Sequence, residues 1–572
     1  MSDKEILKRE VDLEKAKALA ETLGISEVLS RILVARGIDD FNKAKAYFRP
    51  QKEDLHNPFL LKSMDKACEV ILEEIQNNKP ILVFGDYDVD GTTSVAMLSD
   101  FLSKIHPGKV ISYIPDRYTE GYGISFQSID FAKENGISLV ICLDCGIRAV
   151  EQIEYAQRLG VSFVVCDHHT PGEVLPPAVA ILNPKQMDCP YPYKELSGCG
   201  VGFKLMEALA EKLSISRQEV ESYLDLVTVS ICADIVPIDG ENRILTHFGL
   251  EKLRQNPRPG LKVLIPEESL SHLDVSGVVF SLSPKINAAG RIDSGLKAVS
   301  LMMEKSHEVA QQKAKQISAL NESRKEFDKE ATLQALEMII QNQEENNATT
   351  VVFDPHWHKG VVGIVASRLI ENYYRPTVVF TASEGGLLVG SARSVSGYSV
   401  YDALLAISPL MEKFGGHKYA AGMSIKAENY DLFKQAFENQ VKKTLLPSEK
   451  IEKIWIDSEV DFSDFSPKFL RIIEQMSPFG PANPKPCFLA KNVKIIASTL
   501  RYVGDEGQHL QCQIEQNGQV FSAIGFCLAE RVRQNPASLF DVVFQVEYNH
   551  FRGNKTLQLN LKEISTSLCS LG

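Results

Sequence analysis

No apolar run in the 572-residue sequence is long enough to span a bilayer, which excludes a transmembrane helix. The N-terminal stretch MSDKEILKREVDLEKAKALAETLG is charged and helix-periodic, without the apolar core of a secretory signal, so a cytoplasmic protein is expected. A cysteine framework is missing as well. The 11 cysteines are scattered and odd in number, and read as reduced, mostly buried thiols. Cys142 and Cys145 have C-x-x-C spacing, but no second pair completes a zinc set; they are expected to be plain strand-end cysteines. Positive charge is also in short supply. Lys and Arg number 62 against 74 Asp and Glu, a net charge of −12. A protein that coats duplex through its overall field should be basic, so that mode is disfavoured, whereas a local basic groove is not. Internal repeats are absent.

What is present is the composition of a globular protein, 44% hydrophobic and 24% charged, in a chain too long for one core. Residues 1–50 read as a helical N-terminal extension ending at Pro50. From about residue 79 short apolar runs alternate with amphipathic stretches: 80–84 (PILVF), 110–114 (VISYI), 138–143 (SLVICL), 162–166 (SFVVC) and 178–182 (AVAIL). That rhythm predicts βαβ units and a parallel sheet, so 51–300 is taken as one α/β domain. The Pro- and Gly-free, charged stretch 303–345 predicts a long helix, placing a connector at 301–345. Strand-like runs at 349–353, 377–380 and 387–391, with a glycine-rich loop and helix between them, predict a smaller α/β domain over 346–430. A linker at 431–455 follows. Residues 456–572 are β-rich, with a hairpin signal at Asn517-Gly518, and predict a small barrel of OB type.

Four clusters carry chemistry. In F-G-D-Y-D-V-D-G, Asp86, Asp88 and Asp90 alternate after an apolar run; in an extended segment they share one side, and such carboxylates repel unless cations neutralise them. An EF-hand is rejected, because Met97 stands at the twelfth position. Asp144 ends the run SLVICL, where helix capping is the alternative. Asp167-His168-His169 ends SFVVC. Asp234 interrupts the apolar VSICADIVP, a costly place for an unpaired acid. Read together, they put acids and imidazole at the carboxyl ends of several strands, where open α/β sheets bind ligands. Such a donor set suits two divalent cations, Mn²⁺ or Mg²⁺, rather than a thiolate-seeking metal. Glycines 198, 200 and 202 match neither G-x-G-x-x-G nor G-x-x-x-x-G-K-[ST], so ATP and NAD are rejected.

At these motifs the chain resembles the DHH phosphoesterase superfamily, in particular its single-strand exonucleases, over nearly its whole length. Further signatures are P-D-R-Y-T-E-G-Y-G (115–123), L-S-G-C-G-V-G-F-K (196–204), P-K-I-N-A-A-G-R-I (284–292), W-H-K-G-V-V-G-I-V-A-S-R (357–368), G-S-A-R-S (390–394) and F-G-G-H-K-Y-A-A-G (414–422). The resemblance implies a parallel-sheet DHH domain joined by the long helix to a DHH-associated (DHHA1) substrate domain. It implies Asp88 on one metal, Asp90, His168 and Asp234 on the other, and Asp144 bridging both. Asp86 serves the first metal, since Phe84 stands where some relatives carry a histidine ligand. His169 is implied to contact the scissile phosphate. Gly415, Gly416 and His417 are implied to meet it from the second domain. Ser391 and Arg393, with Arg117 and Arg291, are the candidate pocket for a terminal phosphate, because arginine's fork matches phosphate oxygens. His358 opens an apparent helix whose N-terminus favours an anion.

The tail bears on substrate. OB folds bind single strands through stacking aromatics and a basic groove, and here Tyr502, Phe526, Tyr548 and Phe551 are interleaved with Arg501, Arg552 and Lys555. The expected activity is therefore metal-dependent hydrolysis of single-stranded DNA from a 5′ end, releasing mononucleotides. A narrow entrance between the two α/β domains is expected to exclude duplex. The polarity, a helicase and a single-strand-binding protein as partners come from the resemblance alone; a monomer is expected. The alternatives are a phosphodiesterase of short oligoribonucleotides or cyclic dinucleotides, and a non-catalytic DNA-binding scaffold.

Overall fold

Glu5–Lys8 forms a strand, β1, where residues 1–50 were expected to be helical throughout. A segment of four residues shows no readable period. Its parallel partner, Lys453–Ile456, lies far along the chain, so the pairing has no local signature. Helices do follow, at Leu13–Leu23, capped by Asp12, and at Glu27–Val34, capped by Ser26. The computed structural model describes residues 4–534, 539–551 and 554–566. Two compact units result, one drawn from Met1–Ala44, Arg324–Gln475 and Lys485–Gly572, the other from Lys45–Ser323 and Met476–Pro484.

The second of these units is built on five parallel strands: β2 (Ile81–Gly85), β3 (Val110–Tyr113), β4 (Leu139–Leu143), β5 (Ser162–Cys166) and β6 (Ala180–Leu182). Their order is β3-β2-β4-β5-β6. The chain turns from one side of β2 to the other, which makes a switch point at the carboxyl ends of β2 and β4, the place where such sheets bind ligands. Both faces are buried. Ile81, Val83, Leu139, Ile141, Leu143, Val164 and Cys166 pack on one side, and Leu82, Phe84, Val140, Cys142, Phe163 and Val165 on the other, the period-two alternation of a covered parallel sheet. Helices α1 (Val89–Ile105), α2 (Phe126–Glu134), α3 (Val150–Arg158), α4 (Gly198–Lys212) and α5 (Leu224–Ala233) belong to this unit. Residues 476–484 join it too: Ile238 N–H donates to Pro481 O at 2.7 Å, and Arg243 donates to the carbonyls of Met476, Ser477 and Pro478.

The expected connector is a 35-residue helix, α6 (His307–Gln341), which carries the chain from one unit into the other. Beyond it stands a mixed sheet of order β10-β11-β9-β8-β7, from β7 (Thr350–Phe353), β8 (Thr377–Ala382), β9 (Leu387–Arg393), β10 (Lys413–His417) and β11 (Ala420–Lys426). Helix α7 (Val362–Asn372) packs on this sheet. The tail begins with β12 (Lys453–Ile456) and β13 (Ser458–Glu459), then β14 (Cys487–Ile495), β15 (Arg501–Val503), β16 (His509–Gln516), β17 (Gln519–Gly525), β18 (Phe540–Phe551) and β19 (Asn554–Ser565). The run β14-β18-β19-β17-β16 closes on itself because β14 also pairs β16, which makes the expected barrel. Phe462, Phe465, Phe488 and Phe544 fill it edge to face. Asn517 and Gly518 both have positive φ (52° and 79°), the two-residue hairpin turn that the dipeptide predicts. No helix among the described residues is long and apolar enough to cross a membrane.

Candidate metal centre

The three aspartates after β2 do not lie on an extended segment as the alternation suggested. Asp88 caps α1 by accepting from Gly91 N–H at 3.0 Å, so the chain is already helical at Asp90. An aspartate three residues before a backbone N–H is a strong N-cap, and that local bond outweighs strand continuation. Gly91 is required here: a β-carbon on it would lie 2.3 Å from the Asp86 carbonyl oxygen. Asp86 is thereby set at the strand end and Asp90 in the first helical turn. The Asp90 carboxylate accepts from Gly198 N–H (2.7 Å), Cys199 N–H (2.8 Å) and Ser230 Oγ (2.7 Å).

Asp144 follows β4 with a φ of 61°, left-handed backbone uncommon for a residue with a side chain, and its N–H donates to Cys166 O at 2.9 Å. A β-carbon on Gly198 would fall 2.5 Å from Asp144 Cβ, so the start of α4 lies directly against this acid. After β5, Asp167 organises the two histidines. Its Oδ1 accepts from the N–H groups of His168 (2.7 Å) and His169 (3.1 Å) and pairs with His169 Nδ1 at 2.7 Å; its Oδ2 accepts from Ile147 N–H. His168 Nε2 lies 3.2 Å from Asp144 Oδ1, 3.6 Å from Asp234 Oδ2 and 3.8 Å from Asp90 Oδ2. Asp234, which interrupts an apolar segment in the sequence, reaches this point from the C-cap of helix α5. Because α5 is buried all round, its apolar sequence reads equally as a buried strand.

Charge explains what this cluster needs. Burial, then Asp88, pushes the Asp86 carboxyl well above the usual carboxylate range. Burial with Asp90 raises Asp88; burial with Asp90, Asp88 and Asp234 raises Asp144; burial with Asp90 and Asp88 raises Asp234. Asp167 goes the other way: burial alone would raise it, but the His169 hydrogen bond and the two imidazoles hold it at about 2. Burial lowers His168. Burial would also lower His169, yet Asp167 raises it. Asp86 Oδ1, Asp144 Oδ1 and both ring nitrogens of His168 are buried without a hydrogen-bond partner. Orphaned oxygens and imidazole nitrogens among mutually repelling carboxylates are a donor set for hard divalent cations. Among the described residues two triplets qualify by proximity, Asp144-His168-His169 and Asp90-His168-Asp234, each with its ligand atoms within 4.8 Å of one another. Phe84 is no ligand: it is buried in the face of the sheet that holds Val140 and Cys142, stacked on Tyr113 at 5.6 Å. Cys142 and Cys145 are buried free thiols.

Around the centre, the Arg117 guanidinium lies over Tyr87 at 4.6 Å, and the Tyr118 hydroxyl donates to the Arg291 carbonyl. Tyr122, a residue that sequence reasoning gave no role, brings its hydroxyl to 3.4 Å from both His169 Nε2 and Asp144 O. Its signal was membership of the 115–123 motif. In the other unit, Arg393 Nη1 donates to Ser391 Oγ at 2.9 Å, and Gly363 of α7 leaves them room, since a β-carbon there would meet both. Gly415-Gly416-His417 is an exposed strand, β10, rather than a turn; Gly416 (φ 152°) pairs Ala421 so closely that only glycine fits. His358 Nδ1 accepts from Gly360 N–H at 3.0 Å and its ring stacks on Phe327. In the barrel, Arg533 lies over Tyr502 at 4.3 Å and Lys555 over Tyr548 at 4.0 Å. Arg552 and the Phe551 ring lie outside the described residues.

A carboxylate–histidine cluster at the switch point of a five-stranded parallel sheet, followed by a mixed α/β domain, defines the class of DHH phosphoesterases. Residues 80–231 match the family model described as "DHH family, N-terminal domain", 345–443 the "DHHA1 domain" and 456–563 the "RecJ OB domain". The single-stranded-DNA-specific exonuclease RecJ of Bacillus subtilis is 35% identical over 97% of this chain and 70% of that protein, and the Escherichia coli protein of the same name is 32% identical over 98% and 99%. The crystal structure of RecJ in complex with Mn²⁺ from Thermus thermophilus superposes with a TM-score of 0.83 at 26% identity, covering 98% of this chain and 79% of that one. The chain belongs to the RecJ family.

Proposed function

We propose that this chain is a metal-dependent exonuclease that degrades single-stranded DNA from its 5′ end and releases 5′-mononucleotides. The observation carrying this reading is the set of buried, unpartnered ligand atoms on Asp86, Asp144 and His168. In this reading Asp86 and Asp88 hold one divalent cation, Asp90, His168 and Asp234 another, and Asp144 lies between them. Two such ions supply a hydroxide nucleophile near neutral pH and stabilise charge on the phosphoryl oxygens. The protein's own groups do the rest. Asp167 keeps a proton on His169 Nδ1 and favours the charged ring, whose Nε2–H then donates to a phosphate oxygen. Within its own unit, Arg393 beside Ser391 presents a fork suited to a terminal phosphate, and Gly415, Gly416 and His417 of that unit offer further phosphate donors. The barrel, with cations over Tyr502 and Tyr548, follows the strand. On duplex DNA the reading requires a helicase to free the strand and a single-strand-binding protein to keep it open.

The test is a substrate panel: end-labelled single strands, duplex and dinucleotides, each with Mn²⁺ and with chelator. Digestion of long single strands, abolished by chelator, is expected. Digestion of dinucleotides but not long strands would favour the oligoribonucleotide class instead.

A further inference from the structure

The glycine-rich segment Ser197–Gly202 fits no nucleotide-binding pattern, yet it opens a 15-residue helix, α4, in the manner of a phosphate loop. An anion already sits at that helix end, and it is the protein's own. Asp90, nearly fully buried, receives the Gly198 N–H at 2.7 Å on Oδ2 and the Cys199 N–H at 2.8 Å on Oδ1. A third donor arrives from α5, where Ser230 Oγ lies 2.7 Å from Asp90 Oδ1. Ser230 Oγ is also 2.6 Å from Ser197 Oγ, which accepts from Gly200 N–H at 3.1 Å. A hydroxyl has one proton, and a carboxylate can only accept, so the protons order themselves. Gly200 N–H donates to Ser197, Ser197 to Ser230, and Ser230 to Asp90. Each donor polarises the next, and the positive end of α4 faces the same carboxylate. Of the neighbouring acids, Asp86 and Asp144 by contrast each keep a buried oxygen without a hydrogen-bond partner.

We propose that Ser197 and Ser230, with the first amides of α4, are positioning residues that hold the Asp90 carboxylate aimed at one of the two cations, so that half the centre is formed before metal arrives. This rests on the metal-centre reading above. It assigns a role to the 196–204 motif, whose glycines let backbone amides and Asp144 crowd into one place. Groups that orient a ligand set its affinity, typically by 10- to 100-fold when removed.

The test is Mn²⁺ binding to the full-length chain, read by the loss of the free-ion signal in electron paramagnetic resonance. Wild type is expected to bind two ions. Ser230→Ala is expected to weaken one of them by about 10- to 100-fold and leave the other within about threefold. Ser197→Ala should weaken the same event by less, and Ser230→Thr, which restores the hydroxyl, should recover most of the loss. Thermal unfolding of each metal-free variant accompanies the titration. Unchanged affinity in Ser230→Ala overturns the proposal, as does equal weakening of both sites or failure of both Ser197→Ala and Ser230→Thr to behave as stated. No Mn²⁺ binding by wild type would instead overturn the metal-centre reading itself.

Discussion

Asp144 is held at a φ of 61°, and backbone of this kind costs an aspartate on the order of 1 kcal/mol, a strain that folds retain mainly at functional sites. Its carboxylate adds a second cost, being buried beside four other acids. Asp144→Ala is therefore expected to abolish nuclease activity while leaving the thermal midpoint of the metal-free protein unchanged or higher; retained activity would remove its assigned place between the ions. Phe84 makes the complementary case. The resemblance places a histidine ligand at this position in some relatives, whereas here Phe84 is packed within the sheet's other face against Tyr113. Phe84→His is expected to cost about 3 kcal/mol in urea unfolding without improving Mn²⁺ affinity, since a cavity and an unpaired ring nitrogen replace a filled site. The aspartates and histidines of the centre were legible because each ends an apolar run or breaks one. The bonds of Ser230 to Asp90 and Ser197, and of Asp167 to Ile147, were not, because those partners are neighbours only in space.

Among the elements, α5 carries two groups of the centre, Asp234 and Ser230, and is locked from its other end by an ion pair. Arg258 Nε and Nη2 reach the two oxygens of Asp225 at 3.0 and 2.9 Å, with Asp225 fully buried. Removing one charge of a buried pair strands the other, so Asp225→Asn is expected to cost about 3–5 kcal/mol in denaturant unfolding. Elements with one exposed face, such as the barrel's hairpin strands, were readable from alternation, and Asn517-Gly518 announced its turn. Helix α5 was legible only as an apolar segment broken by Asp234, because a helix buried all round has no polar face to set its period. Strand β10 was hidden for a different reason. Its Gly-Gly pair reads as a turn, and only the register with β11 reveals that Gly416 is there to let two strands approach.

For the whole molecule, the five-strand parallel sheet, the connecting helix and the closed barrel follow the rhythm of the sequence, whereas the transfer of residues 476–484 into the unit that holds the candidate metal centre had no sequence signal. The net charge of −12 gains a local meaning. Part of it is concentrated at one point, where burial and mutual repulsion raise four carboxyls above their ordinary range. A cation that binds only the folded state stabilises it by mass action, about 2.7 kcal/mol at a free concentration 100 times its dissociation constant. Mn²⁺ is accordingly expected to raise the thermal midpoint of the wild-type protein and to do so far less for Asp144→Ala. An equal rise in both would place the ion elsewhere.

The most direct measurement is a time course on one long single strand carrying a different label at each end, in Mn²⁺, with wild type and Asp144→Ala side by side. The expected result is immediate release of the 5′ label as a mononucleotide, the 3′ label persisting on a shortening strand, and no digestion by the variant. Earlier release of the 3′ label, internal cuts, or undiminished digestion by Asp144→Ala would contradict it.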